Sequence, residues 1–581
     1  MTIHPGGSLT QSGTVTAGSF TNSGQYTLNG GLVTVTSGTL TNNTTMTLNG
    51  GIVSGSLTNY YGASLNAQGT VTGNLVNQGT LTQNGLFSVG GNVTNSALVV
   101  LSTGGAITGG GTLANGPAGT IRGDGAITMT VDNNGLIYAN GTNGLTLASF
   151  IANEAGGELR IADGDSLTVY AAANGTFNNL STIDLKGPDA SLSGDTFDNT
   201  GVGTISGQGR ITNSIYNQGT LTAVGGQLLL AGYAVSNYPG GTIRSAAGTS
   251  ILVSQGLGQP NYGLIALAGG SFDNGPYSMA NYGSILGNGT FSSGGLFNIG
   301  TVTFANGNSS IYGSVNNASG GTLTMQGTSA NVITFYGAVT NSGYIKINGT
   351  TVSWVGGLAN NGTYISDPAA NYFTGLAVGA GGLLQGGVGD QFFVTGTLSN
   401  SGDIDLGGTS ELVVENGGTL TQTSGVLHLG TSATLTAGAV EINGGTLLAD
   451  GPLATITASL TYASSSTSNY QGILAGSGNK LILDNPAAQL ILSGENNSYT
   501  GGTYVEAGTL EITSAGAIPN GSSLSIGAGA ALIFDPALSV SPVEASAGAV
   551  NAVPEPGTLG LLAGGALGLL GYGWRRRGTK A

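Results

Sequence analysis

An asparagine returns through most of this chain at a nearly constant interval, each time in the same short context. Gly18-Ser-Phe-Thr-Asn22-Ser-Gly24-Gln-Tyr-Thr-Leu-Asn-Gly-Gly31 is repeated one interval later as Gly38-Thr-Leu-Thr-Asn42-Asn-Thr44-Thr-Met-Thr-Leu-Asn-Gly-Gly51. The same asparagine follows at Asn59, Asn77, Asn95, Asn115, Asn133 and Asn153, in steps of 17 to 20 residues. It recurs less regularly at Asn179, Asn199, Asn217, Asn237, Asn261, Asn281, Asn298, Asn317, Asn341 and Asn360. A coil without it is expected near Gly379, with the register resuming at Asn400. A period near twenty is too short for a propeller blade and lacks the leucine spacing of a leucine-rich repeat. It suits one turn of a right-handed parallel β-helix, in which stacked coils bury a face that no single coil can bury alone.

Three strands are read in residues 18–37, around Phe20, around Tyr26 to Leu28, and around Leu32 to Val35. Alternation points Phe20, Tyr26 or Leu28, and Val33 or Val35 to one side. The asparagine is read first as a corner former and second as the rung of an amide ladder. Composition agrees with an all-β body. Glycine supplies 109 residues and charged residues only 6%, while β-branched and aromatic residues recur too often for disorder.

The sequence resembles the β-helical passengers of autotransporters and the filamentous haemagglutinin-like exoproteins. The closest local likeness lies near residues 491–512, where Leu492-Ser-Gly494-Glu-Asn-Asn497-Ser-Tyr499-Thr-Gly-Gly502-Thr-Tyr-Val-Glu-Ala-Gly508-Thr-Leu510 is similar to the autotransporter-associated repeat. The expected organisation is a solenoid over 1–535, a Pro/Ala/Ser/Val linker over 536–552, and a distinct terminal segment over 553–581.

That segment has three parts in order. Val553, Pro554, Glu555 and Pro556 form a rigid break, residues 557–574 carry no charge, and Arg575, Arg576 and Arg577 follow at once. The uncharged stretch is long enough to span a bilayer as one helix, and the arginines would stay on its cytoplasmic side. The arrangement resembles the PEP-CTERM sorting signal. That resemblance implies an exosortase-type processing enzyme as partner, in the envelope of a Gram-negative bacterium that makes exopolysaccharide. It implies Pro554, Glu555 and Pro556 as the recognition motif, 557–574 as a transient or permanent anchor, and the arginines as the membrane stop. A secreted protein should open with a basic and then an apolar stretch. Met1-Thr-Ile-His-Pro does not, so the true start is expected upstream.

Residues before Gly557 carry 7 basic and 26 acidic groups, a balance of −19. Such a body repels phosphate backbones, which disfavours nucleic acid as a partner. With no cysteine and only His4 and His428, neither a zinc site nor a nucleophile with its base is expected, and no cofactor. The carboxylate pairs Asp403 with Asp405, Asp163 with Asp165, and Asp195 with Asp198 are the candidates for the alternative reading, a polysaccharide lyase or glycosidase. They read more simply as solvated charge on an outer face. Arg122-Gly123-Asp124 spells an integrin-type tripeptide, read as chance. Tyr238, Tyr262 and Tyr282 each follow the repeating asparagine, as Tyr60 does earlier. In stacked coils they would form an edge line, either packing on itself or contacting a glycan. The expectation is a non-catalytic, exported surface or matrix protein, structural or adhesive, with exopolysaccharide as a potential partner.

Overall fold

The computed structural model describes residues 1–172 and 175–534. All of the regular structure in these residues is β, in strands from Thr2–Ile3 to Ala531–Phe534, and the pairings run parallel from Thr2–Ile3 through Leu524–Ile526. The chain winds as a β-solenoid of about 27 turns. At one strand spacing per turn, its axis is on the order of 125 Å long.

The second turn shows how the sequence closes a coil. Phe20–Asn22 lies on one face, Gln25–Asn29 on a second, and the start of Leu32–Asn42 on a third. Each face then pairs one turn on: Asn22 with Asn42, Tyr26 with Met46, and Val33 with Val53. Three parallel ladders therefore run along the solenoid. Alternation along each strand sends one set of side chains inward and leaves Ser and Thr outside. Tyr26 and Leu28 are both buried, as are Val33 and Val35. Residues two apart on a strand share a face, so neither pair presents a choice between its members.

The interior is one continuous core of Leu, Ile, Val and Phe with large aromatic residues set into it. Phe335, Trp354 and Phe373 stack over successive turns, at 4.5 and 6.3 Å between rings. Beside them lies a buried polar network. Trp354 Nε1 donates to Tyr364 Oη, which donates to Asn371 Oδ1 at 2.7 Å. Asp390, fully buried, accepts from Ser366 Oγ and from the Ala369 and Gly387 amides, each at 2.6 Å. Polar groups this deep persist because each has a partner.

The described residues include no helix long and apolar enough to cross a membrane. The linker 536–552, the helix expected over 557–574, the sorting motif and the terminal arginines lie outside them.

Candidate functional site

The repeating asparagine ends the strand on the first face, two residues after an inward hydrophobe such as Phe20, and so points inward itself. From Asn22 to Asn360 the side chain at this position has no solvent exposure beyond 1%. Each Nδ2 donates to the Oδ1 of the next turn's asparagine, at 2.7–2.9 Å, from Asn22 to Asn42 through to Asn341 to Asn360. The second proton of Nδ2 reaches a backbone carbonyl on the second face, as from Asn22 to Thr45 at 2.8 Å. That second bond fixes which end of each amide is nitrogen. The preference for a mere corner former is thereby corrected: the residue forms both the corner and a buried amide ladder. Where a glycine stands two positions on, the corner needs it: a Cβ at Gly79 would lie 2.3 Å from the Ala63 carbonyl.

The coil lacking asparagine, expected near Gly379, places the adjacent Val378 in the column. Asn400 then donates to Gln422 Oε1 at 3.2 Å. Beyond that the column turns apolar, through Ile442, Tyr462, Leu483 and Val505.

The tyrosines lie just outside this ladder. Tyr262 and Tyr282 stack at 5.4 Å with an interplanar angle of 28°, each more than two-fifths exposed. Tyr238 instead meets Tyr216 edge-on at 6.0 Å. An open groove of about 300 Å³ runs beside the stacked pair, lined by Gly241, Thr242, Gly263, Leu264 and Ser284. Tyr262 itself forms part of the groove's lining, while one face of its ring packs against Tyr282.

Two of the three carboxylate pairs are split, whereas Asp403 and Asp405 share the outer side of strand Asp403–Leu406. Asp163 is exposed and accepts from the Asp189 amide, whereas Asp165, two residues on, is buried and accepts from the Ser166 amide. Asp195 accepts from Ala171 N, while Asp198 lies on a strand, where burial raises its pKa. Asp124 of the Arg-Gly-Asp tripeptide is 5% exposed, and its Oδ2 accepts from Thr103 Oγ1 and from Asn143 Nδ2. A carboxylate held in this way is not presented to a receptor. Among the described residues no group of three or more His, Asp or Glu is arranged to hold a metal ion.

Asp405 does take part in a constellation that the sequence did not reveal. On the outer side of the second face, Asp405 Oδ1 lies 2.7 Å from His428 Nδ1, and Asp450 Oδ1 lies 2.8 Å from His428 Nε2. The bond to Asp405 foremost, and then that to Asp450, raises the imidazole to about 9 against the opposing pull of burial. Both ring nitrogens are occupied by carboxylates, so the ring is a held cation rather than a base facing a hydroxyl. Asp405 is the residue paired with His428 one turn before, and Asp450 lies two residues past Leu448, the residue paired with it one turn after.

Comparison with known families adds two local matches. A profile described as passenger-associated-transport-repeat matches residues 487–512. In the structure this segment makes one turn, from Gln489 to Thr509 directly above it. Its motif residues hold that turn to its neighbours and to itself. Asn497 Oδ1 accepts from Leu474 N at 2.6 Å and its Nδ2 donates to Ala517 O at 2.8 Å, while buried Tyr499 bonds Thr503 Oγ1 at 2.6 Å. A second profile, described as PEP-CTERM protein-sorting motif, matches residues 552–577, which span Val553, Pro554, Glu555, Pro556 and Arg575, Arg576, Arg577. Neither description is catalytic. No curated protein and no solved structure matches the chain.

Proposed function

We propose that this is a non-catalytic surface or matrix protein, a spacer or adhesive rod in an exopolysaccharide or biofilm setting. The PEP-CTERM match implies an exported, envelope-associated protein handled by an exosortase-type enzyme. The observation that carries the rest is that match, at 552–577, which follows the solenoid in the sequence, together with motif residues Asn497 and Tyr499 that bond only within the stack. In this reading residues 1–535 form right-handed coils, and 536–552 is a linker. Pro554, Glu555 and Pro556 are recognised just outside the inner membrane of a Gram-negative cell. Residues 557–574 form the anchoring helix, and Arg575, Arg576 and Arg577 hold its end in the cytoplasm. Tyr238, Tyr262 and Tyr282 are glycan contacts on the outer edge. The test is the mature C-terminus, read by mass spectrometry of cell-surface protein. A terminus at or before the Pro-Glu-Pro segment is expected. An external protein still ending in Lys580 and Ala581 overturns processing at the motif.

A further inference from the structure

Charge is distributed along this solenoid in a way that its average conceals. No Asp, Glu, Lys or Arg occurs before Arg122, although the whole chain carries 26 acidic and 11 basic residues. The first turns therefore present a surface of hydroxyls and amides, without the fixed charge that ordinarily keeps soluble proteins apart.

On this surface lies an open groove of about 160 Å³, lined by Thr27, Asn29, Thr47, Asn49, Gln68 and Asn84 together with Asn66. Its residues come from the second face and stand in register. Thr27 pairs with Thr47 and Thr47 with Asn66, while Asn29 pairs with Asn49 and Asn49 with Gln68. Two parallel rows of uncharged donors and acceptors thus run along the axis, with one step about every 4.8 Å. That step is close to the advance per sugar in a fully extended β-linked glycan.

Unlike the buried ladder, these rows leave much of their hydrogen-bonding capacity open. Asn49 Nδ2 donates to Asn29 Oδ1 at 3.0 Å, and Ser102 Oγ donates to Asn84 Oδ1 at 3.1 Å. Among the described residues the side-chain amides of Asn66 and Gln68 take no protein partner. Asn29, Asn49, Gln68 and Asn84 are all exposed. The groove is too shallow to enclose a small molecule, which would need most of its surface covered. It suits a polymer that collects a few bonds at each of several successive rungs.

We propose that this groove binds an extended neutral polysaccharide, one sugar per turn, through the amides of Asn29, Asn49, Gln68 and Asn84 and the hydroxyls of Thr27 and Thr47. The proposal rests on the reading of the rod as a surface protein, and gives it a site distinct from Tyr238, Tyr262 and Tyr282. A cation-free groove gives an anionic polymer no partner, and an anion-free one gives a cationic polymer none. Neutral chains are the class that remains.

The test is co-sedimentation of the full chain, purified in detergent, with microcrystalline cellulose as the neutral β-linked probe and polygalacturonate as the charged one. Retention on cellulose that is unchanged between low and high salt is expected, with little on polygalacturonate. The triple variant Asn29→Asp, Asn49→Asp and Gln68→Glu should lose retention at least tenfold. The double variant Asn49→Ala and Gln68→Ala, which adds no repulsion, should lose it severalfold, with the wild-type circular dichroism and melting curve. Equal retention by wild type and the double variant overturns the proposal, as does binding only to the charged polymer. Self-association of the wild type without glycan, abolished by the same substitutions, would reassign the groove to contacts between copies and so also overturns it. Surface display is scored separately on whole cells. Its failure with intact cellulose binding would sink the surface reading and leave the groove standing.

Discussion

Asn341 donates its side-chain amide to Asn360 at 2.7 Å, and Asn360, facing Val378 on the next turn, passes its own to the Leu383 carbonyl at 2.8 Å. The ladder ends there because the next turn offers it no acceptor. Up to that point every amide points the same way along the axis, an arrangement in which neighbouring hydrogen bonds polarise one another.

Breaking the ladder in its middle should be costly. Asn199→Ala removes the acceptor for Asn179 and the donor for Asn217 and for the Thr220 carbonyl. Leaving such groups buried costs about 2–4 kcal/mol. Urea unfolding read alongside hydrogen exchange should show the loss, centred on the turns at 179–217. A change below about 0.5 kcal/mol would mean that the asparagine matters only as a corner.

The gap at Val378 allows the converse measurement. Val378→Asn gives Asn360 Nδ2 a partner on the next turn and should stay within about 1 kcal/mol of wild type, the new bond offsetting the lost burial. Asn341→Val, the same exchange reversed, should cost about 2–4 kcal/mol. Similar losses from both would show that the amides are not coupled from turn to turn.

His428 gives a pH dependence with a definite sign. Its folded pKa, about 9, is above the ordinary histidine value, so folding favours the protonated ring. The stabilisation is complete below about pH 6.5 and is lost as pH rises through about 9. Asp450 is more than half exposed, so solvent screens part of the effect. Amide exchange in strand Val426–Leu429 should quicken from pH 7 to 10 beyond the intrinsic rate, and His428→Gln should remove that excess. An unchanged profile in the variant would assign the effect elsewhere.

The stacked tyrosines offer a test of glycan contact separate from the amide groove. Tyr262→Ala with Tyr282→Ala should reduce retention on purified exopolysaccharide by about two- to tenfold, in line with an aromatic contact of 0.5–1.5 kcal/mol. Full retention would assign the pair to packing on itself, the use its 28° stacking already makes of the ring faces.

At the other end of the chain, Glu555→Ala should leave the sorting signal unprocessed. The expected result is accumulation of a longer species in the membrane fraction and its depletion from the external one, read by immunoblot. Normal release of the variant would remove Glu555 from the recognition motif.

The solenoid was legible in the sequence because its period is written in asparagine, a residue whose inward position tolerates little else. Phe20 and Asn22 share a parity, so burying one places the other inside, and the ladder follows from that step. The sequence alone could not fix it, since a corner and an inward strand end recur at the same interval. The clamp on His428 was hidden for a different reason. Asp405 and Asp450 become its neighbours only once the lengths of those particular turns are known, and these vary from coil to coil. The uncharged stretch before Arg122 stood in plain view, but it gained meaning only when the pairing of Asn29 with Asn49 and Gln68 aligned its amides in a row.

The joint above Asn95 repeats the joint above Asn115: one amide handing a proton to the next. Excising a complete rung, such as residues 96–115, brings together two ends that already fit, whereas deleting a single residue would turn the inner side chains outward. The shaft can therefore be lengthened or shortened by whole units without any new design. How far the molecule reaches is a matter of counting rungs, while the chemistry of each rung stays fixed.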